Sequence, residues 1–333
     1  LHFFLPLQPV YTTFLMTMDN IKLLQQEILE AKRQKNAIIL GHYYQRPEIQ
    51  EVSDYVGDSL ALAQEAQRCE SDIIVFCGVH FMAETAKILN PNRKVLLPDI
   101  AASCSLAESC KPDDFASFKA EHPDHIVISY INCSAAIKAL SDIICTSGNA
   151  EKIVRALPED QKIIFAPDKN LGSYINQVTG RQMLLWNGVC TVHDAMQAEA
   201  VLHLKAEYAD APVIAHPECN AALLKVADFV GSTKAMLKYI KSSPAHRFIV
   251  ATESGILYEM QRENPEKEFI TLKDNRSCAC DECSYMKLNT LEKLLACLRN
   301  ETPEITMPQS MIEAARRPIV RMLDMSRQLG IIK

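Results

Sequence analysis

Ser53-Asp54-Tyr55-Val56-Gly57-Asp58-Ser59 decides how this chain folds, because two later stretches repeat it. Ser141-Asp142-Ile143-Ile144-Cys145-Thr146-Ser147 and Ala227-Asp228-Phe229-Val230-Gly231-Ser232-Thr233 carry the same order of residue types. The aspartates stand at 54, 142 and 228, so the period is 88 and then 86. Fifteen residues before the last residue of each copy stands another polar side chain: Tyr44 before Ser59, Asn132 before Ser147, Glu218 before Thr233. Cys104, Cys190 and Cys283, spaced 86 and 93, follow the copies in loops of their own. Units of this length lie within the usual domain range. Three of them with one cysteine each point to a pseudo-threefold protein closing three thiolates around one metal centre. Three ligands, unlike four, leave a coordination position open for substrate.

Outward from the repeats, the chain divides into five segments. Residues 1–18 read as a disordered tail or a mis-assigned start. Residues 19–100, 101–182 and 183–275 are the three α/β units. Residues 276–333 carry the last cysteine loop and helices packing back on the first unit. Hydrophobic residues make up 48% of the 333, ordinary for a globular core, and the net charge is −6. No basic block interleaved with aromatics points to nucleic acid. An anionic small substrate stays open, because backbone donors bind it whatever the global charge. No apolar run approaches about 18 residues, so no membrane helix is expected. The greasy start Leu1-His2-Phe3-Phe4-Leu5-Pro6 lacks the basic flank and cleavage site of a signal peptide. Twelve cysteines without export imply a reducing cytoplasm and thiols kept for metal or redox work.

Short β-branched runs alternate with amphipathic stretches. Strands are expected at 37–40, 73–77, 95–97, 126–129, 143–145, 163–166, 213–215, 229–230 and 248–251. Helices are expected at 20–35, 59–68, 150–156 and 232–241, with a closing amphipathic helix over 308–329 packed on the first unit. Such alternation argues for parallel α/β/α units. The polar clusters fall after the strands: Gly41-His42-Tyr43-Tyr44, Tyr130-Ile131-Asn132-Cys133-Ser134 and His216-Pro217-Glu218-Cys219-Asn220. In parallel sheets the ligand site lies beyond the carboxyl ends of the strands. An isolated Ser or Thr there is more often a helix cap. Equivalent positions in three copies, alongside His42, Tyr130 and His216, favour one central site.

Cys69, Cys77, Cys145 and Cys297 lie in helical or strand patterns and read as small buried hydrophobes. Cys110, Cys133 and Cys219 are ambiguous, the last two sitting in polar turns where they would line the cavity without binding metal. Cys280 and Cys283 have the C-x-x-C spacing of zinc or redox pairs, but no second pair completes a closed zinc site. Three dispersed thiolates fit a [4Fe–4S] cluster with one iron lacking a protein ligand. On spacing alone, zinc and unlinked core cysteines stand beside that reading.

His42-Tyr43-Tyr44-Gln45, Val56-Gly57-Asp58-Ser59-Leu60, Tyr130-Ile131-Asn132, Thr146-Ser147-Gly148-Asn149, the run 186–193, His216-Pro217-Glu218-Cys219, Gly231-Ser232-Thr233 and Cys283-x-Tyr285-Met286-Lys287-x-Asn289 together resemble the quinolinate synthase family of de novo NAD biosynthesis. The resemblance runs over about residues 20 to 325. It implies a cytoplasmic condensing enzyme, a transferase, with three similar domains around a central active site. The implied reaction joins iminoaspartate and dihydroxyacetone phosphate into quinolinate, phosphate and two waters. The implied cofactor is one [4Fe–4S] cluster on Cys104, Cys190 and Cys283, its open iron acting as Lewis acid for dehydration. His42, Ser59, Tyr130, Asn132, Ser147, His216, Glu218 and Thr233 match substrate-binding positions. Glu218, Tyr44, His193 and His42 match catalytic ones. The resemblance leaves room for transient contact with an L-aspartate oxidase and none for nucleic acid or membrane. Ser284 stands where many members carry proline, and Cys278 and Cys280 are not general to the family. A different cluster-dependent hydro-lyase and a cluster-bearing sensor are the competing classes.

Overall fold

The repeated aspartate is a strand clamp. Ile39, Val127 and Val213 each donate their backbone N–H to the repeat carboxylate fifteen residues on, at 2.8 Å in all three cases. The aspartate N–H returns to the carbonyl of the same residue, at 2.9 Å for Asp54 and Asp142 and 2.8 Å for Asp228. Each aspartate thereby ties the entry of one strand to the strand before it and sets the register. Leu40 pairs with Tyr55, Ile128 with Ile143 and Ile214 with Phe229, the same offset three times. Asp142→Ala leaves the N–H of fully buried Val127 without its carboxylate acceptor. We expect a loss of about 1–3 kcal/mol in urea unfolding, with less for Asp142→Asn. An unchanged midpoint would show the clamp to be idle.

A computed structural model describes residues 18–272 and 281–333. The expected tail and the cysteines 278 and 280 lie outside the described residues. The first unit holds β1 (Ala37–His42), β2 (Tyr55–Gly57), β3 (Ile73–Cys77) and β4 (Lys94–Leu96). The second holds β5 (Ile126–Tyr130), β6 (Ile143–Cys145), β7 (Ile163–Ala166) and β8 (Leu184–Leu185). The third holds β9 (Val213–Ala215), β10 (Phe229–Val230), β11 (Arg247–Ala251) and β12 (Glu268–Thr271). Every pairing is parallel, and the orders are β2-β1-β3-β4, β6-β5-β7-β8 and β10-β9-β11-β12. The chain is therefore α/β with one topology repeated in three similar units. In each sheet the order reverses at the first strand of the unit, and the crevice beyond that reversal is where parallel sheets bind ligands. No helix among the described residues is long and apolar enough to cross a membrane.

The repeats also explain one another's side chains. A Cβ on Gly57 would stand 2.8 Å from the Tyr55 ring, and one on Gly231 would stand 2.8 Å from the Phe229 ring. The second unit has Ile143 in place of the aromatic residue, and Cys145 occupies the glycine position, fully buried.

Several expectations need correction. The strands Tyr55–Gly57, Leu184–Leu185 and Glu268–Thr271 were absent from the sequence reading. Two are only two or three residues long, and the third is a partly exposed edge strand opening on Glu268, so none shows a long apolar run. Leu184–Leu185 pairs with β7, so the second sheet extends past residue 182, where the third unit was expected to begin. The helix Leu291–Asn300 packs on Met18–Gln34 of the first unit. The last helix, Gln309–Gln328, does not mainly return to the first unit as expected. It lies chiefly on Ala135–Leu140 and β6 of the second, touching the first through His80–Leu89. Its apolar stripe says that one face is buried, not which partner buries it. Cys133 and Cys219 are not among the residues lining the central cavity. Both are fully buried in apolar clusters, and the Cys219 thiol donates to the Ala251 carbonyl at 3.5 Å.

Candidate active site

All three units deliver their strand ends to one cavity of about 70 Å³. From the first-strand loops come His42 and Tyr44, Tyr130 and Asn132, His216 and Glu218. From the second-strand loops come Ser59, Ser147 and Thr233, and from the fourth-strand loops Cys104, Cys190 with His193, and Cys283. Every residue singled out in the sequence as a site residue therefore lines the same space. Among the described residues, no lysine or arginine lines it.

The first-strand loops fix two tautomers. The Tyr44 N–H donates to His42 Nδ1 at 3.1 Å, and the Glu218 N–H donates to His216 Nδ1 at 3.4 Å. Each imidazole then carries its proton on Nε2. The His216 Nε2–H meets Ser147 Oγ at 3.2 Å. Burial, and secondarily the neighbouring His216, push the His42 pKa down to about 3, and burial does the same to His216. Both rings are neutral hydrogen-bond donors at neutral pH.

This has a measurable consequence for stability. Between pH 6.5 and about 3 the unfolded chain protonates His42 while the native state refuses the proton. Stability therefore falls as pH drops through that window, by up to about 1.4 kcal/mol per pH unit. We expect His42→Gln to remove about one proton from that slope in urea unfolding between pH 7 and 4. An unchanged slope would mean that the ring is charged in the native state.

Glu218 is the hub. Tyr130 Oη donates to its Oε1 at 2.5 Å, Asn132 Nδ2 to the same oxygen at 3.3 Å, and His193 Nδ1 stands 3.0 Å from Oε2. Burial works against the carboxylate. The His193 imidazole and these donors outweigh it and hold its pKa at about 2, while His216, neutral at neutral pH, adds little there. Burial, then the Glu218 charge, push the Tyr130 and Tyr44 hydroxyls well above their usual range, so both are donors.

In the second-strand loops, capping is done one residue earlier than the aligned hydroxyls. Asp58 accepts from the Ala61 N–H and Ser232 from the Ala235 N–H. Ser59 and Thr233 are thus first helical residues at the mouths of Ser59–Arg68 and Thr233–Ser242. With no lysine or arginine lining the cavity among the described residues, these helix N-termini lend it positive potential. In the second unit Asn149 Oδ1 holds the Thr146 N–H at 2.6 Å, while its Nδ2 reaches Ser326 of the last helix at 3.0 Å.

The three cysteines stand at the openings of short helical turns. Burial pushes the Cys104 thiol up to about 12 and raises the other two, so a metal must displace a proton at each. Three soft donors from three loops, lining one cavity, are a donor set that fits an iron–sulfur cluster.

The third-strand loops were missed from sequence. Thr252 Oγ1 lies 2.8 Å from Tyr44 Oη and 3.0 Å from His193 Nε2, linking them. Glu253 Oε1 accepts from the Cys283 N–H at 3.1 Å and pairs with Lys287 at 2.9 Å. Lys287 also donates to the Tyr44 carbonyl at 2.7 Å. Asp168, at the matching place in the second unit, caps Leu171 and leaves Oδ2 buried without a partner. The signal was there: each follows a strand already expected, at 163–166 and 248–251.

Comparison with known proteins agrees with the geometry. A family model described as "Quinolinate synthetase A protein" matches residues 26–324. A protein named quinolinate synthase in Microcystis aeruginosa is 58% identical over 299 residues, covering 90% of this chain and 94% of that one. Its namesake in Chloroherpeton thalassium is 57% identical over 303 residues, covering 91% and 94%. That of Nostoc punctiforme is 54% identical over 323 residues, covering 95% and 100%.

Proposed function

The chain belongs to the quinolinate synthetase A protein family, and from that premise we propose that it joins iminoaspartate and dihydroxyacetone phosphate into quinolinate, phosphate and two waters, for NAD biosynthesis. The observation carrying this reading is the single cavity to which all three units bring equivalent loop residues, with one thiol from each fourth-strand loop.

Cys104, Cys190 and Cys283 would hold a [4Fe–4S] cluster, which supplies a Lewis-acidic iron with an open position when bound. The remaining chemistry falls to the chain's own groups. The neutral His42 and His216 present Nε2–H donors to carboxylate or carbonyl oxygens of the substrates. The helix mouths at Ser59 and Thr233, with Ser147 between them, receive carboxylate or phosphate oxygens. Tyr130 and Asn132 orient the dicarboxylate. Glu218 is ionised in the free protein, so it enters as a base and not as an acid. Substrate oxygens that take over the Tyr130 and Asn132 donors raise its basicity. His193 and Tyr44, joined through Thr252, carry protons to and from it.

A cytoplasmic workplace, which the ten free cysteines among the described residues suit, and transient contact with an L-aspartate oxidase belong to the same reading. The test is anaerobic turnover of the reconstituted chain with both substrates, following quinolinate and phosphate together. Equal amounts of the two products are expected. A loaded cluster without quinolinate would overturn the reading.

A further inference from the structure

Cys190, His193 and Glu218 bring one ligand atom each to within 4.8 Å of one another. His193 Nδ1 stands 3.3 Å from Cys190 Sγ and 3.0 Å from Glu218 Oε2. One ring nitrogen carries either a proton or a lone pair, so it serves the thiol or the carboxylate but not both. A cation between the three satisfies all of them. Zinc bonds of about 2.3 Å to sulfur and about 2.0 Å to nitrogen or oxygen, at tetrahedral angles, put ligand atoms about 3.3–3.6 Å apart. The two observed edges need to open by only a few tenths of an ångström to reach that range.

We propose that the chain, when it carries no cluster, takes up one divalent ion of the zinc class on Cys190 Sγ, His193 Nδ1 and Glu218 Oε2. The fourth position faces the cavity. The supporting shell is already built, as metal ligands require. His193 Nε2 is held by Thr252 Oγ1 at 3.0 Å. Tyr130 and Asn132 hold Glu218 by Oε1, leaving Oε2 for the ion. His193 is 2% exposed and Glu218 3%, so a charged site here must be neutralised. It is: a dication meets one thiolate and one carboxylate. On binding, the Cys190 S–H proton leaves to solvent and an S–Zn bond forms. The His193 proton sits on Nε2, donated to Thr252, and Glu218 stays a carboxylate. Cys190 is also one of the three cluster thiols in the reading above, and on that reading the two metal states exclude each other.

Apart from the shared Cys190, the two states require different residues, and this makes the test. The full chain is freed of iron and sulfide by anaerobic chelation, then titrated with zinc chloride by calorimetry and probed by zinc-edge X-ray absorption. One zinc per chain is expected, with one sulfur at about 2.3 Å and nitrogen or oxygen at about 2.0 Å. His193→Gln and Glu218→Gln should each weaken zinc binding more than about 100-fold, since even second-shell losses reach that size. Cys104→Ser and Cys283→Ser should bind zinc within about threefold of the parent, a tolerance set by the scatter of substitutions that touch no metal ligand or its support. No zinc uptake, two or three sulfurs on the ion, or loss of binding in Cys104→Ser would overturn the proposal. The sulfur count of the parent chain decides it even where a variant does not fold. Failure of the synthase reading shows separately, as a parent chain that loads no iron or forms no quinolinate.

Discussion

Glu218→Gln should lower turnover about 10³-fold while leaving iron content unchanged. The amide keeps an oxygen for Tyr130 and Asn132, so the loop geometry survives. It removes the carboxylate that those donors hold and that would take the proton. Burial works against the charged carboxylate here; His193 first, and then the Tyr130 hydroxyl, hold its pKa down. Neutralising it also removes the charge opposite His193, 3.0 Å away. The fall should lie in kcat more than in KM, because Tyr130, Asn132 and the helix mouths still bind substrate. Tyr130→Phe should show the complementary pattern, a larger KM with a smaller fall in kcat. Full turnover in the glutamine variant, with normal metal loading, would remove Glu218 from the proton chemistry.

The second expected result is larger still. Cys104→Ala, Cys190→Ala and Cys283→Ala should each abolish cluster retention and turnover, measured anaerobically as iron, sulfide and visible absorption. The parent should hold about four irons per chain. Cys110→Ala and Cys219→Ala should keep the cluster, because both thiols lie in apolar clusters away from the cavity. Their cost is in packing, typically about 1–2 kcal/mol for a small buried side chain. A cluster retained after loss of Cys190 would undo the three-thiol centre, whatever the relatives are named.

Much of this was legible before any coordinates, and for one reason. Repetition lets three weak signals be read as one strong one. A lone Ser59 is a helix cap on priors; Ser59, Ser147 and Thr233 at one spacing are not. The aspartate that marks the repeat turned out to be structural, a register clamp and not a site residue. Sequence spacing alone shows that a position is repeated, not whether packing or chemistry repeats it. Thr252, Asp168 and Glu253 were missed because the third-strand loops carry no matched polar residue in the first unit, where Val79 occupies the corresponding cap. The short strand Leu184–Leu185 was missed because two residues cannot show a period. The docking of the last helix was misjudged because amphipathicity has no address. Asn149 and Ser326 record that address, but only as a contact 177 residues apart.

The common register of the three sheets has an evolutionary reading. A single unit associating as a ring would place the same side chain three times around its centre. One covalent chain lifts that restriction. The equivalent position just beyond the first strand of each unit is a phenol at Tyr44, an amide at Asn132 and a carboxylate at Glu218. Two positions earlier stand imidazole, phenol and imidazole, at His42, Tyr130 and His216. Fusion of the units let a symmetric scaffold grip molecules that have no symmetry of their own, with each third free to specialise and none free to leave.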